Sequence, residues 1–136
     1  MYDPLKSTSF FVREQLQKTE NPGFTTVIGI PREIEGTEKR LALTPETVAL
    51  LVSSGYRVLL EAGAGLPINY SDRYYAESGA EIMESAAEVF QADLILKIMP
   101  PTLAEVEMMR PRTTVFSFLY LHKLSSALLE LMAEKR

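Results

Sequence analysis

Four short β-rich runs, "TVIGI", "RVLLEA", "ADLILKI" and "TTVFSFLYL", follow one another from Val27 onward, and each is separated from the next by a stretch with helical spacing. A strand followed by a helix cannot return as a hairpin; it returns by a crossover, and crossovers yield parallel neighbours. The runs are nearly continuous in apolar residues, which suits strands covered on both faces. The pattern therefore predicts a doubly wound α/β domain: a mostly parallel sheet with helices on both faces. Strands are expected near 27–30, 57–61, 93–98 and 114–120, with a brief one at Ala80 to Met83.

The intervening helices carry start signals. Thr44 before Pro45 is an N-cap followed by the residue favoured at the first helical position, and Val48, Leu51 and Val52 then fall on one face until Gly55. Ser85 with Glu88, and Thr102 with Glu105, have capping-box spacing. Residues 1–24 read as an N-terminal arm, in which "FFVREQLQKT" is a helical candidate with Phe10, Phe11 and Leu16 on its apolar edge, broken by "ENPGF". Residues 25–136 form the domain. Pro100-Pro101 reads as a loop, and no internal repeat or low-complexity segment occurs.

Composition narrows the function classes. At 136 residues and 46% hydrophobic, the chain can bury one sizeable core. A formal charge of -4 offers no basic stripe for a phosphate backbone, so nucleic acid is not an expected partner. Without cysteine there is no disulfide or thiolate metal site, and a single histidine forms no His-rich cluster, so no metal is expected. Charges interrupt every apolar run before membrane-spanning length, and the N-terminus lacks a signal-peptide core. A soluble, cytoplasmic protein with no membrane partner is the expectation.

Two features bear on chemistry. In "EAGAGLPI", Gly63 and Gly65 follow a strand as in a dinucleotide fingerprint, but Ile68 stands where the third glycine belongs, Pro67 intrudes and "NYSD" delays the next helix. The stretch reads as a glycine-rich turn at a strand end, and no cofactor-binding residue is expected in this chain. Separately, Arg40, Lys97 and His122 all fall beyond the carboxyl ends of expected strands, the edge where open α/β sheets bind ligands. Each alone has a plain structural reading: a surface charge, a snorkelling lysine, a hydrogen-bonded imidazole. Together they offer a fork for a carboxylate, a donor for a carbonyl and a group that exchanges protons near neutrality, which suits a small 2-oxo acid.

The ordered segments "VIGIPREIEGTEKRLALTPETVALLVSSGYRVLLEAGAG", "YAESGAEI", "ADLILKI" and "FSFLYLH" resemble the N-terminal domain of the alanine dehydrogenase and pyridine nucleotide transhydrogenase family, from about Val27 to the end. The resemblance implies a Rossmann-like or flavodoxin-like substrate domain. It implies that Arg40 in "EKRLALTP" holds the substrate carboxylate and that Lys97 in "LKIMPP" binds the carboxyl and carbonyl region. Within Tyr120-Leu121-His122, it makes His122 the acid/base, partly desolvated at the sheet edge, with Tyr120 bordering the substrate. Transhydrogenases usually lack that histidine, which favours the alanine dehydrogenase branch. The lysine-glutamate-proline run usual after the fourth strand is "IMPP" here, with Pro100 at the acidic position, and alanine, common after the histidine region, is replaced in "HKLSS".

What the resemblance implies for the intact protein is an NAD-dependent oxidoreductase that interconverts alanine with pyruvate and ammonia, acting as a homo-oligomer. NAD would be bound mainly by a dinucleotide domain that this chain lacks, and the substrate domain itself would be incomplete, so the chain alone is expected to be inactive. Alternative readings are a transhydrogenase domain, a saccharopine-type dehydrogenase domain, or a stand-alone binding module without turnover.

Overall fold

The structure is a computed structural model that describes residues 25–34, 36, 38–120, 122 and 124–136. The expected N-terminal arm and its helix lie outside the described residues. Five parallel strands form one sheet: β1 (Val27–Ile30), β2 (Arg57–Glu61), β3 (Glu81–Met83), β4 (Leu94–Leu96) and β5 (Thr114–Phe116), in the order β3-β2-β1-β4-β5. Among the described residues five α-helices connect or follow them: α1 (Pro45–Ser53), α2 (Asp72–Glu77), α3 (Ala86–Val89), α4 (Leu103–Met108) and α5 (Ser126–Glu134). The doubly wound expectation holds, and the order 3-2-1-4-5 matches the first five strands of the Rossmann order 3-2-1-4-5-6.

Period-2 alternation sorts the core into two clusters. Ile28, Ile30, Val58 and Leu60 meet Val48 of α1 and Tyr75 of α2. On the other cluster, Ile95 meets Val106 of α4, Leu128 of α5 and Phe90, with Val27 and Val115 packed against them. Each fully buried aliphatic side chain contributes about 1.5–3 kcal/mol. Exposed ion pairs such as Arg73–Glu77, at 2.7 Å, contribute about 0–1 kcal/mol, so the two clusters hold the fold.

Local signals behave largely as read. The Thr44 side chain accepts from Thr47 N–H with Pro45 at the first turn of α1, and Gly55 takes a φ of 94° just past the helix end. Thr102 and Glu105 form the reciprocal capping box. Ser85 caps α3 through Ala87 N–H, without the expected reciprocal bond from Glu88. Strands β1 and β2 have the expected limits, whereas β4 and β5 are shorter. Beyond Phe116 the chain still gives Phe118 N–H to Ile98 O at 3.1 Å, but Tyr120 turns to a φ of 40° and ends the extended run.

The crossover from β3 to β4 passes directly over β1. A Cβ on Gly29 would lie 2.5 Å from Val89 O and 3.0 Å from the Ala92 Cβ. Gly29→Ala should therefore lower stability by about 1–3 kcal/mol in urea unfolding. Gly36, with nothing within 4 Å of its virtual Cβ, is the control: Gly36→Ala should leave the urea midpoint nearly unchanged. Equal midpoints for the two variants would contradict the close crossover.

Candidate active site

The sheet reverses its order between β1 and β4, and the loops leaving these strands part there. The loop after β1 is fastened on both sides. Arg32 N–H donates to Glu61 at the end of β2 at 2.9 Å, while the Glu33 carboxylate accepts from Ile98 N–H at 2.6 Å and Met99 N–H at 3.2 Å. Further along, Tyr75 of α2 is fully buried and donates its hydroxyl to Leu43 O at 2.9 Å. Burial pushes that phenol up to about 12, with smaller contributions from Tyr70 and Glu46.

Under the loop lies an ion cluster. Lys97 Nζ stands 2.7 Å from Glu105 Oε1 and 3.6 Å from Glu33 Oε2, and the three side chains are 2%, 1% and 4% exposed. One ammonium faces two carboxylates, and backbone donors share the remaining negative charge: Ile98 and Met99 on Glu33, Thr102 on Glu105. Sequence reasoning offers Lys97 as a direct substrate contact. The structure brings it to the expected edge, where it is paired with both carboxylates and its side chain is almost fully buried.

Arg40 is the reverse case. Its side chain is 65% exposed and is gripped by Glu38 through Nε at 2.9 Å and Nη2 at 2.7 Å, with Arg40 N–H also donating to Glu38 at 2.8 Å. The hydrogen bonds to the Arg40 side chain, then to its backbone, hold the Glu38 carboxyl down at about 2, from an ordinary 4.5. The same pairing keeps the guanidinium above its ordinary range, with Tyr120 and Glu33 adding smaller attractions. Tyr120 in turn stacks edge-on with His122, ring centres 6.5 Å apart. His122 is exposed, so the described residues do not supply the desolvation expected of it.

These groups share one sheet edge but line three neighbouring recesses. Arg32, Glu33, Glu38, Lys39 and Arg40 border a recess of about 310 Å³ beside Gly63. Lys97 and Ser117 line an apolar cleft of about 280 Å³ with Leu43, Phe116 and Phe118, where the Ser117 hydroxyl is buried without a partner. Tyr120 borders the third, about 270 Å³, with Met99, Pro100 and Leu124.

Sequence reasoning missed Glu33 and Glu38, whose only signal is the charged loop opened by Pro31 after a strand, and saw Glu105 only as a cap. The glycine turn offers no dinucleotide cradle: a Cβ on Gly65 would lie 2.6 Å from Tyr70 O and 2.6 Å from the Tyr75 ring, so packing claims that space. No helix among the described residues is long and apolar enough to cross a membrane.

Residues 29–136 match the family model "Alanine dehydrogenase/PNT, N-terminal domain". Alanine dehydrogenase of Bacillus subtilis is 39% identical over 95 residues, covering 70% of this chain and 25% of that protein. NAD(P) transhydrogenase subunit alpha of Cereibacter sphaeroides is 40% identical over 109 residues, covering 79% of this chain and 21% of that subunit. Among solved structures, an L-alanine dehydrogenase superposes with a TM-score of 0.75 at 30% identity, covering 80% of this chain and 30% of the other. The transhydrogenase from Sinorhizobium meliloti does so at 0.73 and 32%, covering 79% and 32%. The chain thus spans less than a third of the length of these proteins.

Two measurements test the site's electrostatics. Lys97→Met leaves two buried carboxylates without their cation and should lower stability by about 3–5 kcal/mol, whereas Lys39→Met on the exposed loop should change it little. Equal urea midpoints for the two would remove the buried cluster. The Glu38 carboxyl, lowered in the folded state, should stay ionised and paired above its ordinary 4.5 and lose the pairing only as pH falls through about 2. Its carbon-13 titration midpoint should return toward 4.5 in Arg40→Ala; a wild-type midpoint already there would exclude the pair.

Proposed function

Because the chain belongs to the family of alanine dehydrogenase and pyridine nucleotide transhydrogenase N-terminal domains, we propose that it forms the substrate-binding part of a pyridine-nucleotide oxidoreductase that interconverts L-alanine with pyruvate and ammonia. The observation that carries this reading is the convergence of an exposed arginine with the Tyr120–His122 pair at the carboxyl edge, beside the switch point.

Each residue then has a role set by its surroundings. Arg40 offers parallel donors to the carboxylate of a small 2-oxo or amino acid. Tyr120 borders a separate recess on the same sheet edge, and His122, edge-on to it, exchanges a proton at the substrate's carbon-bound oxygen or nitrogen. Lys97 contributes through Glu33 and Glu105 by fixing the walls of the crevice. Packing fills the glycine turn at Gly65, so in this proposal NAD is held by a domain outside this chain, and no step of the chemistry is assigned to it here. A homo-oligomeric, cytoplasmic enzyme completes the proposal.

The test is an assay of the full-length gene product. NADH should be consumed only when pyruvate and ammonium are both present. His122→Ala should lower kcat by about two to four powers of ten with folded content unchanged, the range typical of a proton-transferring group. Hydride exchange between two nicotinamide nucleotides, independent of pyruvate, would replace this reading with the transhydrogenase one. Near-normal kcat in a folded His122→Ala enzyme would remove the histidine from the chemistry.

A further inference from the structure

We propose that Glu38 is a positioning residue: it holds Arg40 by the Nε and Nη2 edge of the guanidinium and leaves the Nη1 and Nη2 edge turned out for a ligand carboxylate. The inference rests on the 2-oxo acid reading of this site and deepens it.

A guanidinium carries five N–H donors and two edges on which a carboxylate can be met by parallel bonds. Glu38 occupies one edge, at 2.9 and 2.7 Å. Among the described residues no recorded acceptor meets Nη1, and the side chain is 65% exposed, so the other edge is open to the recess it borders. Glu38 itself is fixed rather than loose. Its side chain is 10% exposed, and the same carboxylate accepts the backbone N–H of Arg40. A long flexible side chain is thereby anchored to its own backbone through a residue two positions away. The ordering that a ligand would otherwise impose on Arg40 is already in place.

The opposite role, in which Glu38 competes with the ligand for Arg40, is weighed by magnitude. Two carboxylates on these adjacent edges, which share Nη2, stand roughly 7 Å apart, and in screened water their repulsion alters affinity by about a factor of two. Loss of a fixed bidentate partner is the larger effect, about tenfold.

The experiment is an NMR titration of the nitrogen-15-labelled chain with pyruvate and, separately, acetate, read at the Arg40 Nε–H resonance, which Arg40→Lys identifies by its loss. Pyruvate should shift this resonance saturably in the wild type. Glu38→Ala should weaken binding about tenfold, and Glu38→Gln, which keeps one acceptor oxygen, about threefold. The heteronuclear NOE of Arg40 Nε–H should fall in Glu38→Ala while backbone resonances away from residues 38–40 stay unchanged, a change that a merely stabilising role would not produce. Equal or tighter pyruvate binding by Glu38→Ala, or an unchanged NOE, overturns the proposal. If acetate binds as well as pyruvate and both weaken in Glu38→Ala, the positioning role stands and the 2-oxo acid reading is lost. If neither anion moves the resonance in the wild type, both fall.

Discussion

The buried contact between Lys97 and the carboxylates of Glu33 and Glu105 is the constraint on which the site's architecture depends. At the switch point the chain leaves β1 and β4 in different directions, and the strand ends there expose backbone donors without a neighbouring strand to receive them. Glu33 receives two of them, from Ile98 and Met99. A carboxylate placed that deeply needs a cation, and Lys97 supplies it one residue past β4. Glu105 completes the arrangement while capping α4 through Thr102. Well-packed apolar residues often replace a buried ion pair without loss of stability. They could not do so here, because no apolar side chain can accept the two N–H groups that Glu33 satisfies.

The cluster divides labour between two cations that the sequence presents alike. Lys97 is buried and paired with two carboxylates, so its charge has little reach outside the crevice wall. Arg40 is exposed and meets one carboxylate of its own. The chain as a whole carries a formal charge of -4, which should disfavour anions, but fields fade over about 8 Å at physiological salt. An anion approaching this edge therefore responds to Arg40 and its immediate partners far more than to the net charge. In the proposed site, the edge of one guanidinium that Glu38 leaves open is the one a small carboxylate would meet.

Much of the fold is legible in the chain because its signals are local. Apolar runs mark β1 and β2 to the residue, and Thr44-Pro45 and Thr102 with Glu105 mark two helix starts, since capping chemistry acts within a single turn. The limits of β5 are less legible. "TTVFSFLYL" is β-rich throughout, yet the ladder ends at Phe116 because its partner β4 ends at Leu96, a fact carried by another segment. The site divides in the same way. Residue types and the shared edge can be read from strand periodicity, which puts Arg40, Lys97 and His122 at the carboxyl edge of the sheet, whereas Tyr120 enters only through the family resemblance. The burial of Lys97 cannot, because it is imposed by Glu33 in a loop whose carboxylate reaches Ile98 from 65 positions away.

The remaining physical problem is water. Arg40 is suited to capture an anion while exposed, because a bidentate charged contact tolerates solvent at its rim. A proton-transferring imidazole gains more from exclusion of water, which strengthens nearby electrostatics and prevents leakage. His122 is exposed, and so are Phe116 at 75%, Phe118 at 58% and Tyr120 at 41% on the same flank. Binding and chemistry thus make different demands on this edge, and the described residues meet the first more fully than the second. In the proposed enzyme the apolar flank beside His122 is the surface that a further part of the protein would cover. Closing over those rings would bury apolar area and dry the neighbouring imidazole in one step, so that the energy of burial would also serve the proton transfer.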